Sequence, residues 1–127
     1  MFDGDPQLYY NLGLTYTMYS NVLNHPHRKE QYYLAVVMFE WCSKLDPHHP
    51  YATNNLAYVC ILLKKYQEAI EACNDAYSVN RGANNYLRNW AIALLNHKKP
   101  GDAVEVIKRA IDAEPGCASI CGCIDIL

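Results

Sequence analysis

Apolar residues recur at spacings of three and four positions along most of the chain. Leu56, Cys60 and Leu63 follow this spacing, and a second apolar series resumes at Ala69 after a break at residues 64–66. Such a spacing places the apolar side chains on one face of an α-helix. No segment shows the sustained alternation that a half-buried strand requires. The pattern therefore predicts an all-α chain of antiparallel helix pairs joined by short turns.

The helix pairs repeat along the chain with a period of 34 residues. Residues 55–57 align with residues 89–91, and residues 68–70 align with residues 102–104. A fixed period in this range indicates a stacked helical repeat. We predict one domain over residues 1–127, with repeat 1 at 6–47, repeat 2 at 50–83, repeat 3 at 84–117 and a partial or capping helix at 118–127. Pro50 and Pro100 each fit the first position of a helix.

The three segments share one series of aromatic, small and apolar positions. It reads Tyr9, Leu12, Gly13, Tyr16, Ala35, Phe39, Cys42 and Pro47 in the first copy, then Leu56, Ala57, Cys60, Ala69, Cys73 and Ala76, then Leu87, Trp90, Ala91, Leu94, Ala103, Ile107, Ala110 and Pro115. This series resembles the tetratricopeptide repeat (TPR) over about residues 6–115. The resemblance implies an α-solenoid of three helix pairs, whose first helices line a concave groove that holds a peptide or a partner's helix.

Repeat 1 departs from the period by ten residues. Leu12 aligns with Leu56 at an offset of 44, whereas Ala35 aligns with Ala69 at an offset of 34. About five extra residues in each helix would lengthen this hairpin by roughly 7–8 Å. We place its turn at Asn24, His25, Pro26, His27 and Arg28, with Pro26 beginning the second helix. The tip is either a plain extension or a second contact with a partner.

The resemblance also implies which residues face the groove. They are Tyr10, Asn11 and Leu14 in repeat 1, Asn54, Asn55 and Tyr58 in repeat 2, and Asn85, Arg88, Asn89 and Ile92 in repeat 3. Asparagine amides can hydrogen-bond a peptide backbone, tyrosines add apolar area, and Arg88 can pair with a carboxylate. The equivalent residues Asn11, Asn55 and Asn89 are common in the family whatever the ligand, so a purely structural role stays open.

One ligand known in the family is disfavoured. Some TPR co-chaperones hold the acidic C-terminus of Hsp70 or Hsp90 in a carboxylate clamp of lysines, an arginine and asparagines. The matching positions here hold Tyr10, Leu14, Asn55, Asn85 and Asn89. Only Asn55 fits the clamp, and Arg88 lies beside a clamp position rather than on it. The resemblance therefore argues against this ligand.

Six cysteines divide into two groups. Cys42, Cys60 and Cys73 occupy small or apolar repeat positions and are expected to be buried free thiols. Cys117, Cys121 and Cys123 form a C-x3-C-x-C cluster after the last repeat. Structural zinc sites usually pair two arms of ligands, and no second arm follows here, so a thiol or metal function is kept as the alternative to protein binding. With no nucleophile elbow, P-loop or Rossmann glycine pattern, we predict no enzyme activity and no cofactor.

Composition and charge narrow the remaining functions. Of 127 residues, 51% are apolar and 19% charged, as in a folded globular chain, and the net charge is -2. That balance disfavours nucleic acid bound through its phosphates, including the RNA-binding helical repeats. No apolar run approaches the roughly 20 residues of a membrane-spanning helix. The acidic start lacks a signal peptide's basic and apolar regions, so we expect a cytoplasmic protein without membrane insertion unless a leader was removed.

The C-terminal ten residues carry one charge and many apolar groups. A solenoid end normally has a polar cap, because its last apolar face otherwise meets water. Either the chain belongs to a longer array, or this edge pairs with a second copy as a homo-oligomer. Together these observations predict a protein–protein interaction module, acting as an adaptor, a scaffold or a chaperone-like protein. A secretion-type TPR chaperone remains an alternative within the same class.

Overall fold

The computed structural model describes residues 4–22, 28–79 and 85–113, and these ranges form six α-helices and no strand. The helices are α1 (Pro6–Val22), α2 (Arg28–Leu45), α3 (Ala52–Leu62), α4 (Tyr66–Val79), α5 (Leu87–Asn96) and α6 (Pro100–Ala113). Within each successive pair the two helices pack together, and each second helix also contacts the first helix of the next pair. The predicted all-α stack of three helix pairs is confirmed.

The same turn joins the two helices of the second and third pairs. Lys64 and Lys98 lie 34 residues apart and both adopt the left-handed backbone conformation, with φ of 60° and 61°. In both turns the next residue's N–H donates to the carbonyl five residues earlier at 2.8 Å. This arrangement satisfies carbonyls at the end of the first helix and reverses the chain within three residues. The period of the sequence is therefore also a period of the backbone.

Small residues at equivalent positions of the first helices allow close packing. Ala57 and Ala91 have no exposed surface. Repeat 1 has Gly13 at this position, facing the ring of the fully buried Phe39. A Cβ added at Gly13 would lie 2.5 Å from Cε1 of that ring, well inside the 3.5–4.0 Å of an ordinary carbon contact. Phe39 thus fills the space that a methyl group occupies in the other two repeats.

The three cysteines predicted to be buried are confirmed as free thiols in the core. Cys42, Cys60 and Cys73 are 0%, 1% and 0% exposed. Burial raises the pKa of Cys42 to about 11 and that of Cys60 to about 12, and it raises the pKa of Cys73 as well. These thiols stay protonated at neutral pH and behave as small apolar residues.

The predicted extension of the first hairpin is confirmed by its helix lengths. Helix α1 has 17 residues and α2 has 18, whereas α3, α4, α5 and α6 have 11, 14, 10 and 14. Helix α6 begins at Pro100 as expected, but Pro50 does not open a helix, because α3 begins two residues later at Ala52. Pro50 instead lies in the turn between the first and second pairs. The proposed tip residues His25, Pro26 and His27 lie outside the described residues, as does the predicted terminal helix.

Candidate functional site

Helices α1, α3 and α5, together with Asn85 in the turn before α5, present the predicted groove residues on one shared surface. We call this surface the first-helix face and define it by Tyr10, Asn11, Leu14, Asn54, Asn55, Tyr58, Asn85, Arg88, Asn89 and Ile92. Side-chain hydrogen bonds join α1 to α3 and α3 to α5 across it. The structure therefore brings together residues that are up to 82 positions apart in the sequence.

The asparagines of this face link one repeat to the next. Asn55 Nδ2 donates to the Tyr10 hydroxyl at 3.1 Å and to the Tyr51 carbonyl at 3.0 Å. Asn89 Nδ2 likewise donates to the side chain of Asn54 at 2.7 Å and to its carbonyl at 3.2 Å. An amide has only two N–H groups, so both donors of each asparagine are engaged within the chain. These residues have the structural role that the sequence left open, and they can offer a ligand only their acceptor oxygens.

A further amide links repeat 3 to the turn between the first and second helix pairs. Asn85 Nδ2 donates to the carbonyl of Pro50. Asn11, in contrast, is exposed and accepts a hydrogen bond from the Gln7 side chain at 3.1 Å, one turn earlier on α1. Of the predicted polar residues, the exposed Arg88 on α5 therefore has the most freedom to meet a ligand.

Tyr10 sits within an aromatic cluster at the start of the first-helix face. Its ring centroid lies 4.6 Å from that of His49, 5.8 Å from that of Phe39 and 6.4 Å from that of Tyr51. His49 Nε2 is 3.0 Å from Oε1 of Gln7. Burial raises the pKa of the Tyr10 hydroxyl, and the Asn55 hydrogen bond opposes that rise. The cluster holds Tyr10 in place and leaves Tyr51, which is 54% exposed, as its accessible member.

An apolar row runs beside the asparagines across all three repeats. Leu14, Tyr58 and Ile92 occupy equivalent positions, and Tyr58 is 39% exposed. One helical turn further, Met18 and Leu62 are 66% and 41% exposed. Large apolar side chains exposed together on one face are typical of a surface that another molecule covers. This row is the feature of the face that most favours a protein ligand.

Sequence reasoning missed three residues that lie next to this face, namely Met18, Leu62 and His49. The first two could have been found, because each follows a predicted groove residue by four positions and therefore shares its helix face. His49 gave no comparable signal, since it lies in a turn between two helix pairs. Its place beside Tyr10 depends on how repeat 2 stacks on repeat 1, which helical periodicity does not specify.

The proposed second contact at the hairpin tip is described only at its end. Arg28 is the first residue of α2, and its carbonyl accepts a weak hydrogen bond from the Ser20 hydroxyl at 3.4 Å. This bond ties the start of α2 back to α1. His25, Pro26 and His27 lie outside the described residues, so a role for the tip in binding stays a prediction.

Two further features concern metal and membrane. Among residues 4–22, 28–79 and 85–113, no three His, Cys, Asp or Glu side chains gather closely enough to hold a metal ion. Cys117, Cys121 and Cys123 fall beyond these ranges, so the alternative that rests on them stays open. No helix in the described part of the chain is long and apolar enough to cross a membrane.

Solved structures with the same architecture are TPR domains. The first TPR domain of Spaghetti (RPAP3), bound to the HSP90 peptide SRMEEVD, is 22% identical with a TM-score of 0.64, over 88% of this chain and 89% of that one. The first TPR domain of human RPAP3 is 22% identical with a TM-score of 0.65, over 87% and 85%. The Arabidopsis OM64 TPR domain is 15% identical with a TM-score of 0.65, over 93% and 95%. At these identities the likeness establishes the fold.

The sequence carries the family pattern directly in its middle section. The family model described as tetratricopeptide repeat matches residues 51–82, which include α3 and α4. A search of curated proteins gives no match. The boundaries assigned to repeats 1 and 3 stay predictions, although a helix pair lies on each side of the match and the pair after it has the same turn. Residues 51–82 thus carry a tetratricopeptide repeat, and the three stacked helix pairs have the fold of TPR domains.

Proposed function

We propose that the chain is a protein–protein interaction module, which holds an extended peptide or a partner's helix on the first-helix face. The observation that supports this most strongly is the apolar row of Leu14, Met18, Tyr58, Leu62 and Ile92. Two of its members, Met18 and Leu62, expose 66% and 41% of their surface to solvent. A ligand that covers this row would bury apolar area, and each Å² buried contributes about 25 cal/mol of favourable free energy.

The chemistry of the face suggests the character of the ligand. Tyr58 and Leu62 provide apolar area on α3, while Arg88 provides a cation on the neighbouring helix. The acceptor oxygens of Asn55 and Asn89 can receive backbone N–H groups, whereas their donors are used internally. A ligand that fits these groups has apolar side chains on one side and a carboxylate that reaches Arg88.

This chemistry differs from a carboxylate clamp. A clamp asparagine must donate to the ligand's carboxylate, and the Asn55 donors are instead held by Tyr10 and Tyr51. The SRMEEVD peptide belongs to the complex of the structural neighbour, and we propose that this chain takes a more apolar segment. We favour binding without catalysis, as an adaptor or scaffold in the cytoplasm. The secretion-type chaperone and the homo-oligomer stay predictions that rest on the sequence.

A display library of random peptides, selected on the purified chain, would test the proposal. Peptides enriched by wild type should lose binding to a Tyr58→Ala, Arg88→Ala double variant. Tyr19→Ala is the matched control, because Tyr19 is 51% exposed but lies five residues from Leu14 and on another side of α1. Equal loss with Tyr19→Ala, or unchanged binding by the double variant, would place the ligand elsewhere.

A further inference from the structure

A second candidate surface lies between the second helices, away from the first-helix face. Helices α2 and α4 flank a cleft of about 340 Å³, and α3 forms its floor. Leu56 and Cys60, which lie on the floor, are on the opposite side of α3 from Asn55 and Tyr58. We call this the α2–α4 cleft. Its volume is at the lower end of the range of sites that bind small molecules.

The cleft combines an apolar floor with a strongly acidic rim. Its carboxylates are Glu40, Glu68, Glu71 and Asp75, against the single amine of Lys44. That amine lies 4.8 Å from the centre of the Trp41 ring, a cation–π contact on α2 itself. The rim therefore carries a formal charge of -3 around a surface that is apolar at its base.

The negative charge of this rim is only partly compensated within the chain. Lys65 pairs with Glu68 at 3.3 Å, but neither Glu40 nor Asp75 has an ion-pair partner among the described residues. Burial raises the pKa of Glu40, Glu68 adds to the rise, and Lys44 opposes it. The Ser43 hydroxyl oxygen lines the same cleft, buried and without a hydrogen-bond partner in the described residues. The cleft thus has an excess of negative charge and one buried hydroxyl whose hydrogen bond is unmade within the described part of the chain.

The next repeat contains the same cleft and serves as an internal comparison. Between α4 and α6 lies a space of about 330 Å³ with α5 as its floor. Its charged residues are balanced, as Asp102 and Glu105 face Lys99 and Arg109. Arg109 occupies the position of Asp75, 34 residues earlier. The cleft therefore follows from the stacking of the repeats. Of the two clefts, the α2–α4 cleft is the one with excess negative charge.

The apolar side chains that line the two clefts also differ in size. Leu56, Cys60 and Ala72 in the α2–α4 cleft correspond to Trp90, Leu94 and Val106 in the next one. Each residue in the first cleft is the smaller of its pair. The α2–α4 cleft is therefore lined by smaller apolar side chains and has an acidic rim. A ligand with an apolar stem and a cationic head matches both properties.

We propose that the α2–α4 cleft docks a basic side chain, a lysine or an arginine, from a protein partner. The methylene stem lies on Leu56 and Cys60, and the cationic head is held between Glu40 and Asp75. The negative rim favours a cation and would repel an anion. An apolar helix would offer no charge to complement the rim. The site does not depend on ligand binding at the first-helix face, so a chain could engage two segments of one partner or two partners.

The probe for the test is N-acetyl-lysine methylamide, with its Nε-acetylated form as the uncharged control. Amide NMR signals are followed during titration of the full chain. We expect saturable shifts at Glu40, Glu71 and Asp75, and none of comparable size at Asn74 or Arg109 in the equivalent cleft. The uncharged control should leave these signals unchanged. Absence of saturable shifts at the first three residues, or equal shifts with the acetylated control, would overturn the proposal.

Three variants give the test its specificity. Asp75→Arg introduces the residue of the equivalent cleft and should weaken binding about fivefold or more, because it replaces an attraction by a repulsion. Ala72→Val introduces the larger residue of that cleft and should weaken binding without changing charge. Asp112→Arg makes the same charge change at an exposed site on α6 and should leave binding within about twofold. Equal weakening by Asp75→Arg and Asp112→Arg would show general electrostatics instead of a site.

Discussion

Replacing Gly13 by alanine should destabilise the chain, although alanine favours helices. The added methyl would lie 2.5, 2.7 and 2.8 Å from three carbons of the Phe39 ring. Phe39 is completely buried, so its ring must be displaced by about 1 Å against packed neighbours. Overpacking of this kind costs about 1–3 kcal/mol, and the helix propensity of alanine returns about 1 kcal/mol. We expect a net loss of up to about 2 kcal/mol.

The same substitution at Gly101 provides the matched control. Gly101 lies in the first turn of α6, and a Cβ added there meets nothing within 4 Å. Gly101→Ala should therefore stabilise the chain by about 0.5–1 kcal/mol through helix propensity alone. Urea unfolding followed by far-ultraviolet circular dichroism measures both effects. The reasoning would be refuted if the two variants shifted the unfolding free energy in the same direction.

A double-mutant cycle locates the cause of the Gly13 effect. Phe39→Leu removes the ring that the new methyl would strike, at the expense of a cavity. If the clash is the cause, this substitution should destabilise the Gly13→Ala background less than wild type, with a coupling of about 1 kcal/mol. Additive effects would show that Phe39 is not responsible. Because the Phe39 ring lies 5.8 Å from that of Tyr10, displacing it should also disturb the first-helix face.

Three further predictions follow from the structure. Lys64→Gly and Lys98→Gly should each raise the unfolding free energy by up to about 1 kcal/mol in urea titrations, because both lysines hold a left-handed conformation that glycine adopts without strain. The SRMEEVD peptide should show no saturable heat on calorimetric titration into this chain, and a micromolar Kd would contradict our account of the clamp positions. Stability should fall as pH rises above about 9, because Cys60 and Cys73 ionise in the unfolded chain but are kept protonated when buried; an unchanged urea midpoint between pH 8 and pH 10 would contradict this.

Much of the fold could be predicted from the sequence because the evidence for it is local and repeated. Apolar spacing identifies each helix face, and the 34-residue period identifies the pairs. Even the lengthened first hairpin followed from two alignment offsets that disagree by ten residues. Pro50 was the exception: proline fits the first turn of a helix and an ordinary turn equally well, and here α3 begins at Ala52.

The candidate site was less predictable because it depends on how repeats stack. The family resemblance assigned Asn55 and Asn89 to one groove, but it could not show that their donors join neighbouring repeats. The same limit applies to His49, which reaches Tyr10 from a turn. The α2–α4 cleft draws residues from three helices, and no single stretch of sequence contains its pattern. Contacts within a helix can be predicted from the local sequence. Contacts between repeats can be predicted only when the arrangement of the repeats in the superhelix is known.

Comparison of the repeats with one another separates scaffold from surface in this chain. Where equivalent positions keep the same residue, as Asn55 and Asn89 do, the side chain has a shared structural task, the link to the preceding repeat. Where equivalent positions hold different residues although the backbone geometry is the same, the packing of the repeats does not explain the difference between the residues. Asp75 and Arg109 differ in this way, since both line clefts of nearly equal volume. The charge reversal therefore marks a property of the first cleft's surface, and the binding of a basic side chain is the function that this property supports.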